Sequence, residues 1–425
     1  MNNQQTIATK SIASSSGFKS LIVIVMGALA ILVIAWMNTG VFTYAMPYIS
    51  NYVRYGAYFT WFGLAVISNK WFIKIFLVQS WPLLLFYAYM LFISVFIDTS
   101  LETYIISIRY LIIAYSVFLY YFNSKYRQFL KFLCGFLIGD IIIVGINTYI
   151  QLQLNPVIAR FLAAGYGVGE RRLGWVPYGV GSYGYFYSLV AIVLLMGFLF
   201  LYQRKNKLII IVLTLAAIAL IIEASFTIAI LFTFIFLILL IIIRYTNKFT
   251  FIYIVILAII SLLLFQGAFA VMFKQIANVD KIPPVVSEKL NDLAVYLSVE
   301  DAVDTQVDSR ISMYHRSIEA FGNNILTGTI TSQSSKYISG GHSAWFDLLA
   351  TFGLFTIPFF LFLYKAYKYC QNRVPKTFRP FINIYWLYFV CLGFVNTLLF
   401  SVIYVAWFLF LPLFIVAFFD DNIMA

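Results

Sequence analysis

Residues 207–245 read KLIIIVLTLAAIALIIEASFTIAILFTFIFLILLIIIRY, and this stretch decides the fold class. Its charged residues are Lys207, Glu223 and Arg244, and the two runs between them are apolar. An apolar run of about 20 residues crosses roughly 30 Å of hydrocarbon as a helix, and a helix satisfies its own backbone polar groups, which lipid cannot do. The stretch predicts two membrane helices, 207–222 and 224–243; the alternative is one long span followed by a re-entrant piece.

The same composition extends along the whole chain. Of its 425 residues, 63% are hydrophobic and 10% are charged, whereas a soluble domain is about 25% charged. We therefore predict an all-α, polytopic integral membrane protein, a single membrane domain over 1–425 with about twelve transmembrane helices. The predicted spans are 21–37, 51–69, 74–97, 103–122, 129–150, 183–202, 207–222, 224–243, 251–273, 344–364, 380–397 and 399–418.

The net charge of +12 indicates the orientation of the chain. In a soluble protein it would suggest nucleic acid, but short membrane loops rich in Lys and Arg stay on the cytoplasmic side, so we expect no nucleic-acid partner. With both termini in the cytoplasm, seventeen of the 28 basic residues lie inside: Lys10, Lys19, Lys70, Lys74, Lys125, Arg127, Lys131, Arg204, Lys205, Lys207, Arg244, Lys248, Lys365, Lys368, Arg373, Lys376 and Arg379.

Two larger extracytoplasmic loops remain on the other side, 151–182 and 274–343. Neither contains a phosphate-binding Gly-x-x-x-x-Gly-Lys loop, a Cys/His cluster or an Asp-x-Asp pair. The sequence therefore predicts no metal and no cofactor. The cytoplasmic loops are too short for a nucleotide-binding domain, so we expect any chemistry to take place on the outer face.

The first outer loop contains Arg160 and the adjacent pair Arg171 and Arg172 among several glycines. Arginine offers a fixed fork of donors that matches phosphate oxygens, and glycine lets the backbone approach a ligand. These arginines indicate a site for a phosphate-bearing ligand at the membrane surface. The alternative is that they contact lipid headgroups.

The second outer loop holds a predicted short helix that carries Arg310. Asp308 or Ser309 is the expected N-cap, Gly322-Asn323 the expected stop, and Arg310 near the helix start is placed to bind an anion. Secondary candidates on this helix are Tyr314, four residues after Arg310, and His315 and Arg316, which we expect to project away from it. The predicted buried stripe is Ile311, Tyr314, Ile318 and Phe321.

His342 ends the second loop, just before Ser343, the expected N-cap of a membrane helix over 344–364. The positive end of a helix disfavours a protonated imidazole, so a neutral His342 is competent as a general base. The alternative is an interfacial histidine bonded to the backbone. Charges in or near apolar runs usually face a cavity or a partner, and this applies to Arg109, Asp140, Glu223 and Asp347. Glu223, at the join of two spans, is a further secondary candidate.

The outer loops resemble the O-antigen polymerase and ligase superfamily, which includes the Wzy-type polymerases. The segment SRISMYHRSIEAFGNNILTGTI, 309–330, is similar to the family's short helix with an early arginine, here Arg310, and a following turn at Gly328. The segment GGHSAWFDLLATFGL, 340–354, is similar to its histidine followed by a membrane helix, and RRLGWVPYGVGSYGYFYSL, 171–189, to its earlier arginine segment.

The resemblance implies a metal-independent, inverting glycosyltransferase of the bacterial cytoplasmic membrane. It would pass a glycan from undecaprenyl diphosphate to a hydroxyl of another lipid-linked repeat unit, in O-antigen, capsule or exopolysaccharide synthesis. Arg160, Arg171, Arg172 and Arg310 would stabilise the diphosphate, and His342 would act as acceptor base. The partners implied are lipid-linked oligosaccharide, membrane lipid, a flippase and a chain-length regulator. The alternatives are a ligase with a different acceptor and a flippase or transporter of lipid-linked sugar.

Overall fold

The structure, a computed structural model, describes residues 22–35, 51–96, 101–123, 127–163, 179–202, 207–245, 266–279, 287–288, 290–291, 294–295, 306–331, 340–398 and 401–419. Within these ranges the chain forms helices joined by turns, and no β-strand occurs among them. The all-α prediction is therefore confirmed. Helical secondary structure is what a chain of this composition must adopt in lipid, because each backbone N–H finds its acceptor within the same segment.

The helices are numbered here in chain order. They are α1 (Ile22–Ala35), α2 (Asn51–Ser68), α3 (Phe72–Phe96), α4 (Glu102–Phe122), α5 (Arg127–Leu154), α6 (Ile158–Ala163), α7 (Tyr183–Tyr202), α8 (Lys207–Glu223), α9 (Thr227–Tyr245), α10 (Gln266–Ala277), α11 (Gln306–Asn323), α12 (Ala344–Phe352), α13 (Ile357–Arg373), α14 (Arg379–Val395), α15 (Ser401–Val405) and α16 (Leu411–Phe418). A π-helical turn, Ala406–Phe410, joins α15 to α16.

Seven helical segments of the described residues are long and apolar enough to cross a membrane. The protein is thus a helical membrane protein, and seven of the about twelve predicted spans meet this criterion. The segments are α3, α4, Phe129–Leu154 of α5, α7, α9, Ala344–Arg373 and Lys376–Val395, while Ile22–Ala35 and Val402–Phe418 are shorter apolar helices. Most of the predicted span 251–273 lies outside the described residues.

The stretch 207–245 forms two helices rather than one. α8 ends at Glu223, α9 begins at Thr227, and the two pack against each other and against α7. The reversal between them uses Ser225, which has a left-handed backbone with a φ of 56°. Such a conformation is uncommon outside glycine, and here it ends one helix before the next begins.

α4 and α7 lie at the centre of the bundle. In each, 78% of the most apolar 18-residue window is buried inside the protein, compared with 22% for α9. A helix that is apolar on every side is buried, whereas one that borders lipid leaves large apolar side chains on the outside. α7 contacts α8, α9, α14 and α15, and α4 contacts α3, α15 and α16.

Many basic side chains gather at one end of the bundle, which we call the basic end: Lys74, Lys207, Arg244, Lys368, Arg373, Lys376 and Arg379. Hydrogen bonds and ring contacts join the helix termini there. Tyr369 donates to Asn123 Oδ1 over 3.0 Å, Ser68 Oγ lies 2.8 Å from Tyr120 OH, and the rings of Phe198 and Phe378 are 5.0 Å apart.

The span predicted as 344–364 is a longer helical segment interrupted at Gly353. α12 stops there, a 3₁₀ turn over Gly353–Thr356 follows, and α13 continues to Arg373. Gly353 has a φ of 57° and Gly328 one of 66°, and a Cβ on Gly353 would lie 2.6 Å from the Gly328 nitrogen. These two glycines, with left-handed backbone conformations, therefore let the turn after α11 pack directly against the 3₁₀ turn between α12 and α13.

α14 meets α12 at Gly393. A Cβ on this glycine would lie 2.1 Å from the Trp345 ring, whose Nε1 donates to the Val390 carbonyl over 2.8 Å. Small residues at such crossings allow close approach of membrane helices. α12 and α14 can therefore approach this closely only because Gly393 has no side chain.

We expect Gly393→Ala to destabilise the protein by about 1–3 kcal/mol, because the added methyl group overlaps the Trp345 ring. The matched control is Gly135→Ala in α5, where no atom lies within 4 Å of a new Cβ; alanine should be neutral there or stabilise by about 0.5–1 kcal/mol. Thermal unfolding of both variants in one detergent measures the difference. Equal melting temperatures would contradict the close crossing.

Candidate functional site

The carboxylate of Asp347 is buried in the first turn of α12, with the residue 6% exposed. Ser317 Oγ donates to Oδ1 over 2.7 Å, the Gly341 nitrogen to Oδ1 over 3.2 Å, and the Ser343 nitrogen to Oδ2 over 3.1 Å. A buried carboxylate is stable when such donors surround it, and the positive end of a helix favours it further. Asp347 therefore holds the segment 340–343 against α12.

Ser343 caps α12, as predicted. Its Oγ accepts from the Phe346 nitrogen over 3.3 Å, and it donates to the Gly393 carbonyl over 3.2 Å. The cap thereby satisfies one free amide of the helix start and ties that start to α14.

Asn396 joins the start of α12 to α7 from a buried position after α14. Its carbonyl accepts from the Ala344 nitrogen over 3.1 Å, its Nδ2 donates to Tyr187 OH over 2.7 Å, and its Oδ1 accepts from Tyr183 OH. The Tyr183 ring also contacts Phe226 at 5.6 Å, just after the α8 to α9 turn. The beginnings of α7, α9 and α12 are thus at one end of the bundle, which we call the Ser343 end.

α11 packs on α12 through small residues. Ser317 and Ala320 are buried, and Ser317 Oγ accepts from the Gly340 nitrogen over 2.8 Å while it donates to Asp347. The predicted buried stripe is wrong at Ile318, which is 48% exposed, and its other positions, Ile311, Tyr314 and Phe321, are only half-buried. The hydrogen bonds of Ser317 turn its own face of α11 toward α12, which moves Ile318 outward.

The helix α11 also begins earlier than predicted. It starts at Gln306, so Asp308 and Ser309 lie inside its first turn and neither is the N-cap, whereas the predicted end at Asn323 is confirmed. A carboxylate in a first helical turn is favourable, which is consistent with Asp308 inside the helix. Arg310 is the fifth helical residue rather than part of the first turn, and its side chain lies outside the described part.

His342 is half-buried between Gly341 and the cap Ser343, and it lies within electrostatic range of the Asp347 carboxylate. Tyr314 of α11 is also half-buried, with its ring 6.0 Å from that of Phe346. His315 and Arg316 are exposed, as expected for side chains that project away. Two segments far apart in sequence, α11 and 340–347, are thereby in contact.

Two of the remaining predicted residues, Arg160 and Glu223, lie toward the Ser343 end. Arg160 is partly exposed on the short helix α6, which packs against α5 and α7. Glu223 ends α8 and accepts from Gln153 Nε2 over 3.0 Å. Arg171 and Arg172 lie outside the described residues.

A second polar location lies within the bundle. Asp140 of α5 is buried and lines a cavity of about 40 Å³ between α5, α7 and the helices after residue 401, together with Ser182, Tyr185 and Ser188. A polar cavity of that size has room for a water molecule. It is lined by helices that do not carry His342 or Asp347.

The sequence predicted a partner for Asp347 but gave it no role in the site, and it missed Ser317 and Asn396. Asn396 carried a signal, because a polar side chain inside an apolar run is costly and needs a partner. Ser317 carried none, since a serine in a polar helix is ordinary.

The arrangement offers base chemistry at a helix start: an imidazole beside a fixed carboxylate, with an adjacent arginine-bearing helix. Among the described residues, no group of three His, Cys, Asp or Glu side chains is arranged to hold a metal ion. No model of a known protein family matches the chain, and no curated protein sequence matches it.

We expect Asp347→Asn to destabilise the protein by about 1–3 kcal/mol, because an amide cannot accept from all three donors around the carboxylate. Glu319→Gln, which removes one exposed charge from α11, should change the stability by less than about 0.5 kcal/mol. Thermal unfolding in detergent compares the two. An unchanged melting temperature for Asp347→Asn would show that the buried network contributes nothing to folding.

Proposed function

We propose that this protein is a membrane glycosyltransferase that elongates a lipid-linked glycan. It would transfer the glycan from undecaprenyl diphosphate to a hydroxyl of another lipid-linked repeat unit. The observation that carries the proposal is the contact of α11 with the segment 340–347 through Ser317 and Asp347. It brings the helix that bears Arg310 beside the loop that bears His342.

His342 is the acceptor base in this proposal. It is half-buried, so a substrate can reach it, and the hydrogen bonds of Gly341 and Ser343 to Asp347 restrict the backbone on both sides of it. As it takes a proton from the attacking hydroxyl, the imidazole becomes positive, and the carboxylate of Asp347 stabilises that charge. Asp347 is a positioning residue because its oxygens are occupied by the protein.

The arginines are the diphosphate ligands in this proposal. Breaking the sugar–phosphate bond leaves negative charge on the diphosphate, and arginine donors stabilise that charge without a metal. Arg310 would act from α11, and Arg160, Arg171 and Arg172 from the loop 151–182. The position of Arg160 on α6, next to α5 and α7, supports this role, because the start of α7 is bonded to Asn396.

The orientation follows from the charges. The basic end collects Lys and Arg side chains, which the positive-inside rule assigns to the cytoplasm. The Ser343 end would then face outward with the loops 151–182 and 274–343, and both chain termini would be cytoplasmic. We propose the bacterial cytoplasmic membrane as the location, with a flippase supplying substrate and a chain-length regulator as partner.

The test is glycan extension by the purified protein in liposomes, with undecaprenyl-diphosphate-linked oligosaccharide as the only sugar substrate. Longer lipid-linked products are expected. His342→Ala should slow extension by about 10²- to 10⁴-fold, the usual contribution of a general base. The matched control is His315→Ala, because His315 is the other histidine of the chain and is exposed on α11.

Three outcomes would reject parts of the proposal. Full activity of His342→Ala removes the base assignment. Transfer only to a different acceptor makes the protein a ligase, and movement of lipid-linked sugar across the vesicle without extension makes it a transporter.

A further inference from the structure

A groove of about 470 Å³ lies between α2, α3 and α4, away from the Ser343 network. It is mainly apolar and contains one charged side chain, and its lining includes Tyr55, Phe62, Phe76, Tyr87, Arg109 and Ile112. Phe59 is 68% exposed on the outer side of α2, so this part of the bundle borders lipid. From Tyr87 to Phe76 the groove follows eleven residues of α3, about 16 Å at 1.5 Å per residue. That is about half of the roughly 30 Å hydrocarbon thickness.

Arg109 is the charged side chain of the groove. Its Nη1 donates to Tyr55 OH and its Nε to Tyr87 OH over 3.3 Å, and its guanidinium stacks on the Tyr55 ring at 4.9 Å. Both acceptors are neutral hydroxyls, and no carboxylate pairs with Arg109 in the part of the chain that the structure describes. A charge inside a membrane helix is costly and usually marks a functional partner.

Arg54 supplies a second positive charge nearby. Tyr110 lies within electrostatic range of both Arg54 and Arg109. The Arg54 Nε is buried and has no hydrogen-bond acceptor among the described residues. Arg54 therefore adds positive potential near the polar end of the groove, while Arg109 is the arginine that lines it.

The groove is distinct from the candidate site. Tyr104 of α4 contacts Phe352 of α12 with ring centroids 5.2 Å apart. Arg109 follows Tyr104 by five residues, about 140° around the helix, so it projects to a different side of α4. The buried residues Ile105 and Ile108 lie between the two sides.

We propose that this groove binds one anionic phospholipid of the membrane. Its phosphate lies against Arg109, because the guanidinium fork matches phosphate oxygens, and its acyl chain lies along Phe62, Phe76 and Ile112. Arg109 lies seven residues after the start of α4, about 10 Å along the helix axis. Its long side chain covers part of that depth by extending toward the membrane surface. The groove length of about 16 Å fits one acyl chain.

The test is lipid titration of the purified full-length protein by native mass spectrometry, with phosphatidylglycerol and phosphatidylcholine as probes. The wild-type protein should bind phosphatidylglycerol more tightly than phosphatidylcholine. Arg109→Gln should weaken phosphatidylglycerol binding by about tenfold or more, since a charge-assisted hydrogen bond is lost. The matched control is Arg244→Gln, because Arg244 stacks on Tyr202 in the same way, at 4.6 Å, but at the basic end.

A second variant tests the acyl-chain part of the groove without removing the charge. Ile112→Trp should fill the groove and reduce binding of both lipids, and it also serves if Arg109→Gln fails to fold. Equal binding of the two lipids by the wild-type protein would overturn the proposal. So would unchanged binding in both groove variants, or displacement of phosphatidylglycerol by undecaprenyl phosphate at equal concentration.

Discussion

A carboxylate buried at the start of a membrane helix must be surrounded by donors, and the Ser343 end is organised around that requirement. Asp347 receives hydrogen bonds from Ser317, Gly341 and Ser343, which belong to one helix and one loop. Because an unpaired buried charge would cost several kcal/mol, the donors and the carboxylate are only stable together. The position of α11 and the path of the segment before α12 therefore depend on this one side chain.

Glycine at three points allows the surrounding helices to approach closely enough for that network. Gly328 and Gly353 put the turn after α11 in contact with the interruption between α12 and α13, and Gly393 accepts the Trp345 ring. Association of helices in lipid relies on packing and hydrogen bonds, since burying apolar surface away from lipid gains little. Close packing and polar bonds therefore occur at the same end of the bundle.

The fold class was predictable because lipid imposes a single backbone solution on long apolar runs. Helix bounds such as Tyr183–Tyr202 follow the predicted span, and the cap at Ser343 follows from local chemistry. The start of α11 could not be predicted from local sequence, since polar residues such as Asp308 suit both an N-cap and the first turn of a helix. The exposed Ile318 shows that hydrogen bonds of Ser317 can outweigh an apolar periodicity on a polar loop helix.

The sequence by itself determined that this is a helical membrane protein, that many of its basic residues gather at one end, and that Arg310 and His342 belong to polar segments outside the apolar runs. These properties depend on composition and local order along the chain. Only the tertiary structure decided that Ser317 and Asp347 meet, and that Asn396 joins α7 to α12. Such contacts join residues 30 and 209 positions apart, and their register depends on how side chains fit between helices.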